Sequence, residues 1–547
     1  MSSDTIADAG TTAPLKKREV AASFLFRRAP DDPSKVQVAL FRRSGEVRTY
    51  QHKLAPISGS VDEEDANPQA TALREIKEET TLELQSDIEL LRRGKPYSFV
   101  DESIGRQWTI HPFAFRLKPA DEGGKGEAGI VIDWEHEGWE WHDPLRVGDL
   151  DGFGGVPKLR DSLRRVWPEI DLGIHAGGVL EAGLLHLQTD HESGARQLAA
   201  KAVSVLRDVI VAKSESETHA SSHLDNTWWA NVRMVAWHLW KNGRESMGAA
   251  IVSALVSILD CIEEIWTTNG ESDDDKLQSI LGAIDEYLAQ RELAVSKIQS
   301  SFAGLVKDHM RLSKTQTTLK VLTLSSSTTI FNCLLQATAA LDAALDLRIL
   351  ESRPLCEGVT LASKLLQSVA EVDGENQQRV NIALYSDASA ALASEGVDLV
   401  LLGADQISAA GDVSNKTGSL PAVLSAKHVA PDTLVAVLSE VEKIAGPGVA
   451  SDHAVEENDP AELTRAWQQC AVKGADVVMA STRSFPKQPG IANAAACTLE
   501  VKNIYFEWVP ASLIGAYVTD EGVWSAAEIQ KRSDRIGVEM QRFFGDL

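Results

Sequence analysis

The sequence predicts a multidomain protein in which an α+β domain is followed by a helical subdomain and then by an α/β domain with a parallel sheet. Its 547 residues are too many for one hydrophobic core. Three kinds of patterning follow one another along the chain: alternating apolar residues, apolar residues at helical spacing, and short apolar runs between helical segments. The content of 44% hydrophobic and 24% charged residues is that of ordinary folded domains.

The changes of patterning give the domain boundaries. The predicted segments are a disordered tail at 1–18, the α+β domain at 19–171, the helical subdomain at 172–316 and the α/β domain at 317–547. The tail lacks the apolar stretch of a signal peptide and carries acidic residues, so we expect it to be polar and unstructured.

The charge of the whole chain limits its partners. The net charge is −25, from 79 acidic and 54 basic residues, which disfavours direct binding to nucleic acid or to an anionic membrane. No run of about 20 apolar residues is apparent, so we expect no membrane span. Five scattered cysteines without metal-binding spacing fit reduced thiols and a cytoplasmic location.

The α+β domain is predicted from four strand-like segments and one helix. The strand-like segments are EVAASFLFRR, KVQVALFRR, QWTIHPFAFRL and IVIDWEHEGWEW. The helix begins at Asn67 and Pro68, a capping side chain followed by a proline where no N–H is needed.

Three glutamates lie close together on this helix. Leu73 and Ile76 recur at helical spacing and are predicted to face the core, which places Glu75, Glu78 and Glu79 on roughly the opposite third of the helix. Like charges at this spacing repel, and a hard cation such as Mg²⁺ (or Mn²⁺) bound by their oxygens removes the repulsion. The alternative is a solvated acidic face without a ligand.

Residues 59–82 resemble the Nudix box. The matching residues are Arg74, Glu75, Ile76, Glu78, Glu79 and Leu82. The resemblance implies that the three glutamates and Gly59 bind Mg²⁺ or Mn²⁺, and that the glutamates and Arg74 form the catalytic set. It also implies a nucleoside diphosphate linked to another group as the substrate.

Three positions depart from the motif of that family. Thr81 replaces its second glycine, and Ser60 and Ala66 stand where the first glycine and first glutamate are expected. Gly59 and Asp65 each lie one residue away, so a small shift of the loop restores both.

The last segment of the chain alternates strand-like runs with helices. The runs begin with KVLTLS, DLRILES, VNIALYSD and VDLVLLGADQI, and their continuous apolar character predicts a parallel, doubly wound sheet. Ligands of such sheets bind at the carboxyl ends of the strands. Polar residues at these ends are Ser325, Ser326, Ser327, Arg353, Asp387 and Asp405. They are either helix caps or ligand-binding groups; Arg353 favours an anion, because a cation opposes the dipole of a helix N-terminus.

Residues 172–547 resemble the alpha, beta and delta subunits of translation initiation factor 2B, a family that includes methylthioribose-1-phosphate and ribose-1,5-bisphosphate isomerases. The motifs are ESRPLCEG at 351–358, GAD at 403–405 and GDVSNKTG at 411–418. The resemblance implies a helical N-terminal half, a Rossmann-like C-terminal half, and a homodimer built through the latter.

The same resemblance implies a ligand site. Asp405 matches the catalytic aspartate of the isomerases, whereas Ser325 stands in place of their catalytic cysteine. The implied ligand-binding residues are Ser325, Ser326, Arg353, Glu357, Asp405, Asn415 and Lys416. A serine hydroxyl is a far weaker acid than a thiol, so we expect binding of a sugar phosphate or nucleotide without isomerase activity.

These observations leave three hypotheses. The first is a metal-dependent Nudix hydrolase fused to a domain that binds a small phosphorylated ligand. The second is a phosphopentose aldose–ketose isomerase that uses Asp405 with Ser325. The third is a regulatory protein without enzymatic activity that binds a translation-factor partner.

Overall fold

The computed structural model describes residues 15–148, 152–190, 193–216, 224–312, 318–340, 344–370, 380–448, 457–483 and 499–547. They form two compact units. The first contains the described residues up to His186, Val205–Gly243 and Leu547; the second contains Leu187–Ser204 and Arg244–Asp546. Most of the predicted tail lies outside the described residues, and the first strand begins at Lys16. The predicted domain boundaries stay predictions, because compactness alone does not define a domain that folds independently.

The first unit contains a mixed sheet and a helix that packs on it. Its strands are β1 (Lys16–Arg28), β2 (Val36–Arg43), β3 (Leu54–Ala55), β4 (Ile57–Ser60), β5 (Ile88–Arg93), β6 (Tyr97–Asp101), β7 (Arg106–Leu117) and β8 (His136–His142). Its first helices are α1 (Pro68–Thr80) and α2 (Leu159–Arg164). The order is β3-β2-β1-β7-β5, with β4 paired to β1, β6 to β7 and β8 to β2, and β1 runs parallel to β7. Three predicted strands are confirmed, while the fourth begins only at His136.

Helix α1 begins as the sequence predicts. The Asn67 side chain accepts a hydrogen bond from the N–H of Ala70, and Pro68 occupies the first turn. Ile76 packs in the core with Ile57 and Phe115, which fixes the helix against the sheet. The carboxylate-bearing residues of α1 are thereby held on a rigid element.

Six helices follow in the part of the chain that the structure describes up to Leu312. They are α3 (Glu169–Thr189), α4 (Ala195–Ser216), α5 (Asn226–Asn242), α6 (Gly248–Thr267), α7 (Asp273–Arg291) and α8 (Ala294–Leu312). The predicted helical character of this region is confirmed. Among the described residues, one segment, Glu245–Thr267, is long and apolar enough to cross a membrane, although none was expected. Its apolar stretch is 67% buried inside the fold, as in the core helix of a globular protein, so it is weak evidence for a membrane span.

The last residue of α5 completes the edge of the first sheet. The Asn242 side chain accepts from the N–H of Arg93 (2.7 Å) and donates to the Arg93 carbonyl (2.9 Å). One amide group thus pairs both backbone groups of a residue at the end of β5. Residues of the predicted helical subdomain therefore contribute to the first compact unit.

The second unit is built on a doubly wound sheet. Its strands are β9 (Thr318–Leu324), β10 (Ala344–Leu350), β11 (Val380–Tyr385), β12 (Leu399–Leu402), β15 (Leu434–Leu438), β17 (Ala516–Thr519) and β18 (Gly522–Trp524). The order is β11-β10-β9-β12-β15-β17-β18, parallel throughout except for the antiparallel pair of β17 and β18. The chain reverses its direction of progress between β9 and β12, and such a switch point leaves a crevice at the strand ends.

Helices and a small antiparallel sheet complete this unit. The helices are α9 (Thr328–Ala340), α10 (Glu357–Ala370), α11 (Ala390–Ala393), α12 (Ser419–Val429), α13 (Ala461–Gln469), α14 (Ala475–Arg483) and α15 (Ala526–Phe544). The small sheet contains β13 (Gln406–Ile407), β14 (Val413–Lys416) and β16 (Phe506–Val509). Two apolar clusters bury the main sheet. The predicted parallel sheet is therefore confirmed as a layer inside an α/β unit.

Candidate functional sites

A cavity of about 410 Å³ in the first unit is lined by carboxylates, arginines and aromatic rings. The carboxylates come from α1 and from the loops beside β4 and β8: Asp62, Glu75 and Glu135. The arginines are Arg18, Arg43, Arg48 and Arg106. The aromatic residues are Tyr50, Tyr97, Phe99 and Trp108. Acidic, cationic and stacking groups therefore share one concave surface.

Arg74 organises the carboxylates at the start of this site. It donates to Glu75 (2.7 Å), to Glu78 (3.1 Å) and, through two nitrogens, to Asp65 (2.9 and 3.2 Å). Hydrogen bonds from Arg74 and Thr71 lower the pKa of Asp65 to about 2. Arg74 therefore orients Glu75, and Asp65 in turn holds Arg74.

Gly59 makes room for Glu75. A Cβ atom on Gly59 would lie 1.8 Å from Oε1 of Glu75, a distance at which the carboxylate has to move. Burial raises the pKa of Glu75 above its ordinary value, although Arg74 opposes the shift, and the Glu78 and Glu135 carboxylates raise it further. The absence of a side chain at Gly59 therefore allows Glu75 to lie directly against the backbone of β4.

Glu79 is not on a solvated face. Its side chain is only 3% exposed, and its Oε2 lies 2.5 Å from Nε2 of His136. Burial raises the pKa of Glu79 well above its ordinary value, and the carboxylates of Glu75, Glu135 and Asp133 add to the shift. The alternative of a solvated face is therefore wrong for Glu79. The loop before β8 covers the C-terminal end of α1, where Val131 N–H donates to the Thr80 carbonyl (3.1 Å).

Glu78 and Thr81 differ from these buried positions. The Glu78 side chain is 59% exposed, and its contact with Arg74 spans one helical turn. Thr81 caps the helix in the left-handed conformation, with φ at 64°. Glycine adopts that conformation without strain, which explains why this position is a glycine in the motif.

The donor chemistry of this site fits a divalent hard cation. Among the described residues, Oε1 of Glu79 is buried without a hydrogen-bond partner. Burial and the neighbouring carboxylates raise the pKa of Glu75 and of Glu79. A cation removes this repulsion and satisfies the oxygen. Among the described residues, however, no three acidic, histidine or cysteine side chains already form a group able to hold a metal ion. Arg74 and His136 hold these carboxylates instead.

A second cavity, of about 350 Å³, lies at the switch point of the sheet in the second unit. Six of the seven predicted ligand-binding residues line it: Ser325, Ser326, Glu357, Asp405, Asn415 and Lys416. The structure thus brings together residues that lie up to 91 positions apart, from Ser325 at the end of β9 to Lys416 at the end of β14.

Arg353 is the predicted residue that does not line this cavity. Its side chain is exposed, and its backbone N–H donates to Asp387 (2.8 Å). Asp387 also accepts from the N–H of Ser352 (2.8 Å). The end of β10 is therefore an aspartate-bound backbone turn, and the cation expected to hold an anion there is directed elsewhere.

Ser325 occupies a strained position beside Glu357. Its φ is 64°, its N–H donates to Ser352 Oγ (2.7 Å), and its hydroxyl donates to Glu357 Oε2 (3.2 Å). The other oxygen of Glu357 lies 3.4 Å from the Lys416 ammonium. Serine, carboxylate and ammonium therefore form a chain of contacts along one wall.

Asp405 faces a lysine that the sequence did not reveal as a site residue. Burial raises the pKa of Asp405, against the opposing charges of Lys443 and Lys416. Burial alone would lower the pKa of Lys443, but the Glu440 and Asp405 carboxylates raise it overall. Lys443 lies 3.2 Å from Glu440 and donates to the Ala404 carbonyl (2.8 Å). The carboxylates of this cavity are therefore matched by buried cations.

Family models identify both parts of the chain. The model of the initiation factor 2 subunit family matches residues 191–526. The chain belongs to the initiation factor 2 subunit family. The model of the NUDIX domain matches residues 17–161, so the chain joins a NUDIX domain to an initiation factor 2 region.

Curated relatives of the initiation factor 2 region are isomerases. The methylthioribose-1-phosphate isomerase of Desulforudis audaxviator is 31% identical over 176 residues, which are 32% of this chain and 41% of that protein. The corresponding protein of Methylococcus capsulatus is 33% identical over 176 residues, 32% of this chain and 40% of that protein. The chain thus spans about two-fifths of the length of these relatives.

Two solved structures from Pyrococcus horikoshii OT3 are similar to this chain. Translation initiation factor eIF-2B is 17% identical, with a TM-score of 0.41 over 63% of this chain and 96% of that chain. The 5-methylthioribose 1-phosphate isomerase is 17% identical, with a TM-score of 0.41 over 67% of this chain and 88% of that chain.

Several residues of both sites were not predicted. In the initiation factor 2 region they include Arg196, Arg244, Lys443, Tyr505 and Phe506. Lys416 lies over the rings of Tyr505 and Phe506, 4.6 and 4.9 Å from their centroids. In the NUDIX domain they are His136 and the arginines and aromatic residues of the cavity. Only Lys443 carried a usable signal, since it follows the apolar run of β15.

Proposed function

We propose that the NUDIX domain is a Mg²⁺- or Mn²⁺-dependent hydrolase of a nucleoside diphosphate linked to another group. The observation that supports this most directly is the cavity in which Glu75 and Glu135 share walls with arginines and aromatic rings. Guanidinium groups bind phosphate through two parallel hydrogen bonds, and aromatic rings stack on planar groups such as a nucleobase. The cavity thus offers one type of group for each part of such a substrate.

The glutamates of α1 and Gly59 would hold the cation, with Arg74 orienting Glu75 and Glu78. A cation bound there supplies polarisation of the phosphoryl oxygens and a lower pKa for a bound water. The arginine-rich walls bind the phosphates and hold the scissile bond near the carboxylates. The buried aromatic residue Trp108 excludes water from one wall.

A substrate panel with Mg²⁺ tests this proposal. Purified protein is incubated with ADP-ribose, NADH, diadenosine polyphosphates, CoA, inositol pyrophosphates and oxidised dNTPs, and the phosphorylated products are quantified. Activity that Glu75→Gln abolishes supports the hydrolase. Glu89→Gln is the matched control, because Glu89 is paired with Arg116 outside the cavity. Equal activity in the wild type and in Glu75→Gln overturns the assignment.

For the initiation factor 2 region, we propose binding of a sugar phosphate or nucleotide without isomerase activity. Four cations line its cavity: Arg196, Arg244, Lys416 and Lys443. The hydroxyl of Ser325 is engaged with Glu357, and it is too weak an acid to move a proton between sugar carbons. A phosphorylated product of the NUDIX reaction, such as AMP or a ribose phosphate, has the chemistry that this cavity fits.

Calorimetry on the full chain tests the ligand. AMP, ribose 5-phosphate and ribose 1,5-bisphosphate are titrated separately, and we expect micromolar binding of at least one that Lys416→Ala removes. Lys427→Ala is the control, since Lys427 lies on α12 outside the cavity and donates to the Thr433 carbonyl. No heat with any of the three from a folded protein contradicts the proposal.

The second candidate function is a phosphopentose isomerase. Asp405 and Ser325 line the same cavity, and the curated relatives of this region carry that activity in their names. An aldose–ketose conversion assay decides between the two: wild-type turnover that Asp405→Asn abolishes establishes the isomerase.

The third candidate is a non-enzymatic regulator that binds a translation factor, and a pull-down with a stable complex supports it if both enzyme assays fail. We propose also that the protein forms a homodimer through its C-terminal domain and is cytoplasmic. Sedimentation analysis and cell fractionation test these two points.

A further inference from the structure

His136 is held firmly at the first position of β8. Its side chain is 1% exposed, and its Cα pairs with that of Arg43 on β2. The imidazole ring lies against Phe41, with the ring centroids 5.1 Å apart. A buried ring between a strand pair and a phenyl ring has little freedom to change rotamer.

The loop that leads to His136 is attached to the end of α1. Val131 N–H donates to the Thr80 carbonyl (3.1 Å), and Asp133 N–H donates to the Glu79 carbonyl (3.2 Å). These carbonyls belong to the last turn of the helix, whose acceptors lack partners within the helix. The loop therefore fixes the position of His136 relative to Glu79 through the backbone.

The two oxygens of Glu79 are in different situations. Oε2 lies 2.5 Å from Nε2 of His136, while Oε1 is buried without a hydrogen-bond partner among the described residues. A buried carboxylate oxygen without a partner costs free energy unless a cation or a donor satisfies it. Only one oxygen of Glu79 is thus available to a ligand.

We propose that His136 is a positioning residue of the NUDIX site: it holds Oε2 of Glu79 so that Oε1 alone is presented to a divalent cation. This inference rests on the proposed hydrolase function and extends it to a residue outside the motif helix. With Nε2–H donating to the carboxylate, the imidazole fixes the rotation of the carboxyl group. Partners of this kind, which contact a ligand rather than the metal, change metal affinity or activity by about 10- to 100-fold.

Three variants and a probe ion test it on the full chain. The probe is Mn²⁺, whose affinity is measured by electron paramagnetic resonance without any substrate. His136→Leu removes the donor, and we expect about 10- to 100-fold weaker Mn²⁺ binding and a similar fall in kcat with little change in KM. His136→Gln retains an N–H that reaches the same oxygen, so we expect it to recover most of both losses.

The matched control is His142→Gln at the other end of β8. The His142 ring lies against Phe153, 5.4 Å between centroids, and does not contact Glu79. We expect wild-type Mn²⁺ affinity and kcat in this variant. A loss equal to that of His136→Leu would show that the strand, not the Glu79 contact, is responsible, and would overturn the proposal.

Other outcomes are also decisive. Wild-type Mn²⁺ affinity and kcat in folded His136→Leu overturn the positioning role. If that variant does not fold, His136→Gln is compared with His136→Asn, whose shorter side chain does not reach: a loss confined to Asn supports the role, and equal values overturn it. A wild type that binds Mn²⁺ but hydrolyses nothing refutes only the hydrolase function, because the Mn²⁺ affinity of the variants still tests the positioning role of His136. A wild type that binds no Mn²⁺ overturns both.

Discussion

Glu79 in the NUDIX domain and Glu440 in the initiation factor 2 region are buried to the same extent, with 3% and 4% of their surfaces exposed. Their pKa values nevertheless shift in opposite directions. Burial and the neighbouring carboxylates raise the pKa of Glu79. Burial also opposes the charged form of Glu440, but the charge and hydrogen bond of Lys443, a backbone hydrogen bond and the charge of Arg196 together lower its pKa. The neighbours of a buried carboxylate, more than its depth, therefore decide its charge.

The difference extends to the two cavities. Carboxylates cluster in the first, where one oxygen of Glu79 has no hydrogen-bond partner in the part of the chain that the structure describes. In the second they alternate with lysines, as in the pairs Glu440–Lys443 and Glu357–Lys416. We propose that a metal cation completes the site with clustered carboxylates, and that the site with paired carboxylates binds an anionic organic ligand through its further cations.

The largest expected effect is on turnover. Glu79→Gln should lower hydrolysis by about 1000-fold, which corresponds to about 4 kcal/mol of transition-state stabilisation, because the amide is a poor ligand for a cation. Glu440→Gln should leave hydrolysis unchanged. Steady-state kinetics on the best substrate of the panel measure the turnover of both variants. Equal effects of the two substitutions would contradict the expected difference between Glu79 and Glu440.

A somewhat smaller effect is expected on stability in the second cavity. Lys443→Met leaves Glu440 without its buried cation and should lower the free energy of unfolding by about 3 kcal/mol. Adding Glu440→Gln to this variant should restore part of the loss, because the uncompensated charge is removed. Urea denaturation measures the free energy of unfolding of both variants. A double variant no more stable than Lys443→Met would show that Lys443 and Glu440 are not energetically coupled.

The third prediction applies one substitution to both glutamates. Without added metal at pH 8, Glu440→Gln should destabilise the protein by about 1.5 kcal/mol, the lower end of what a hydrogen bond to a charged group contributes. Glu79→Gln should leave stability equal to or above that of the wild type, because it removes a charge from a group of carboxylates. Thermal unfolding in the presence of EDTA shows whether each variant is more or less stable than the wild type. Equal losses of stability in the two variants would contradict the expected difference between Glu79 and Glu440.

The smallest expected effect is the pH dependence of the stability lost in Glu440→Gln. The folded-state pKa of Glu440 lies below its ordinary value of 4.5, so its contribution is present above pH 4.5 and is lost as the pH falls through the folded pKa. That of Lys443 is raised above 10.5, so its contribution is lost only as the pH rises through the folded value. The difference between wild type and Glu440→Gln should thus be constant from about pH 5 to 10. Denaturation at intervals of pH checks this plateau.

Local signals in the sequence predicted the elements well. The cap at Asn67 and the apolar runs of β9 and β12 depend on neighbouring residues only, so they are visible in the sequence. The burial of Glu79 was not predictable, because the loop that covers it lies over 50 residues further along the chain. The position of Arg353 outside the second cavity was not predicted for another reason. The rule that ligands bind at the carboxyl ends of strands locates the backbone of a residue, not the direction of its side chain.

The residues of the two sites also divide into those that local sequence patterns predicted and those that only the fold brings into place. The motif at 74–79 and the strand ends located two groups of residues, but Arg196 and Arg244 reach the second cavity from distant elements. Their contribution depends on the order of strands and helices in space. A single sequence contains no local pattern that reports such long-range neighbours.

The amide of Asn242 has a consequence for how the protein is made. During synthesis the first sheet emerges from the ribosome long before Asn242, so the two hydrogen bonds between the Asn242 amide and the backbone of Arg93 at the end of β5 form only later. A chain truncated after residue 171 never forms these two hydrogen bonds, and the uncovered edge of a sheet is a template for association with other chains. We therefore expect NUDIX fragments that end before Asn242 to aggregate, and fragments that extend through Gly243 to remain monodisperse.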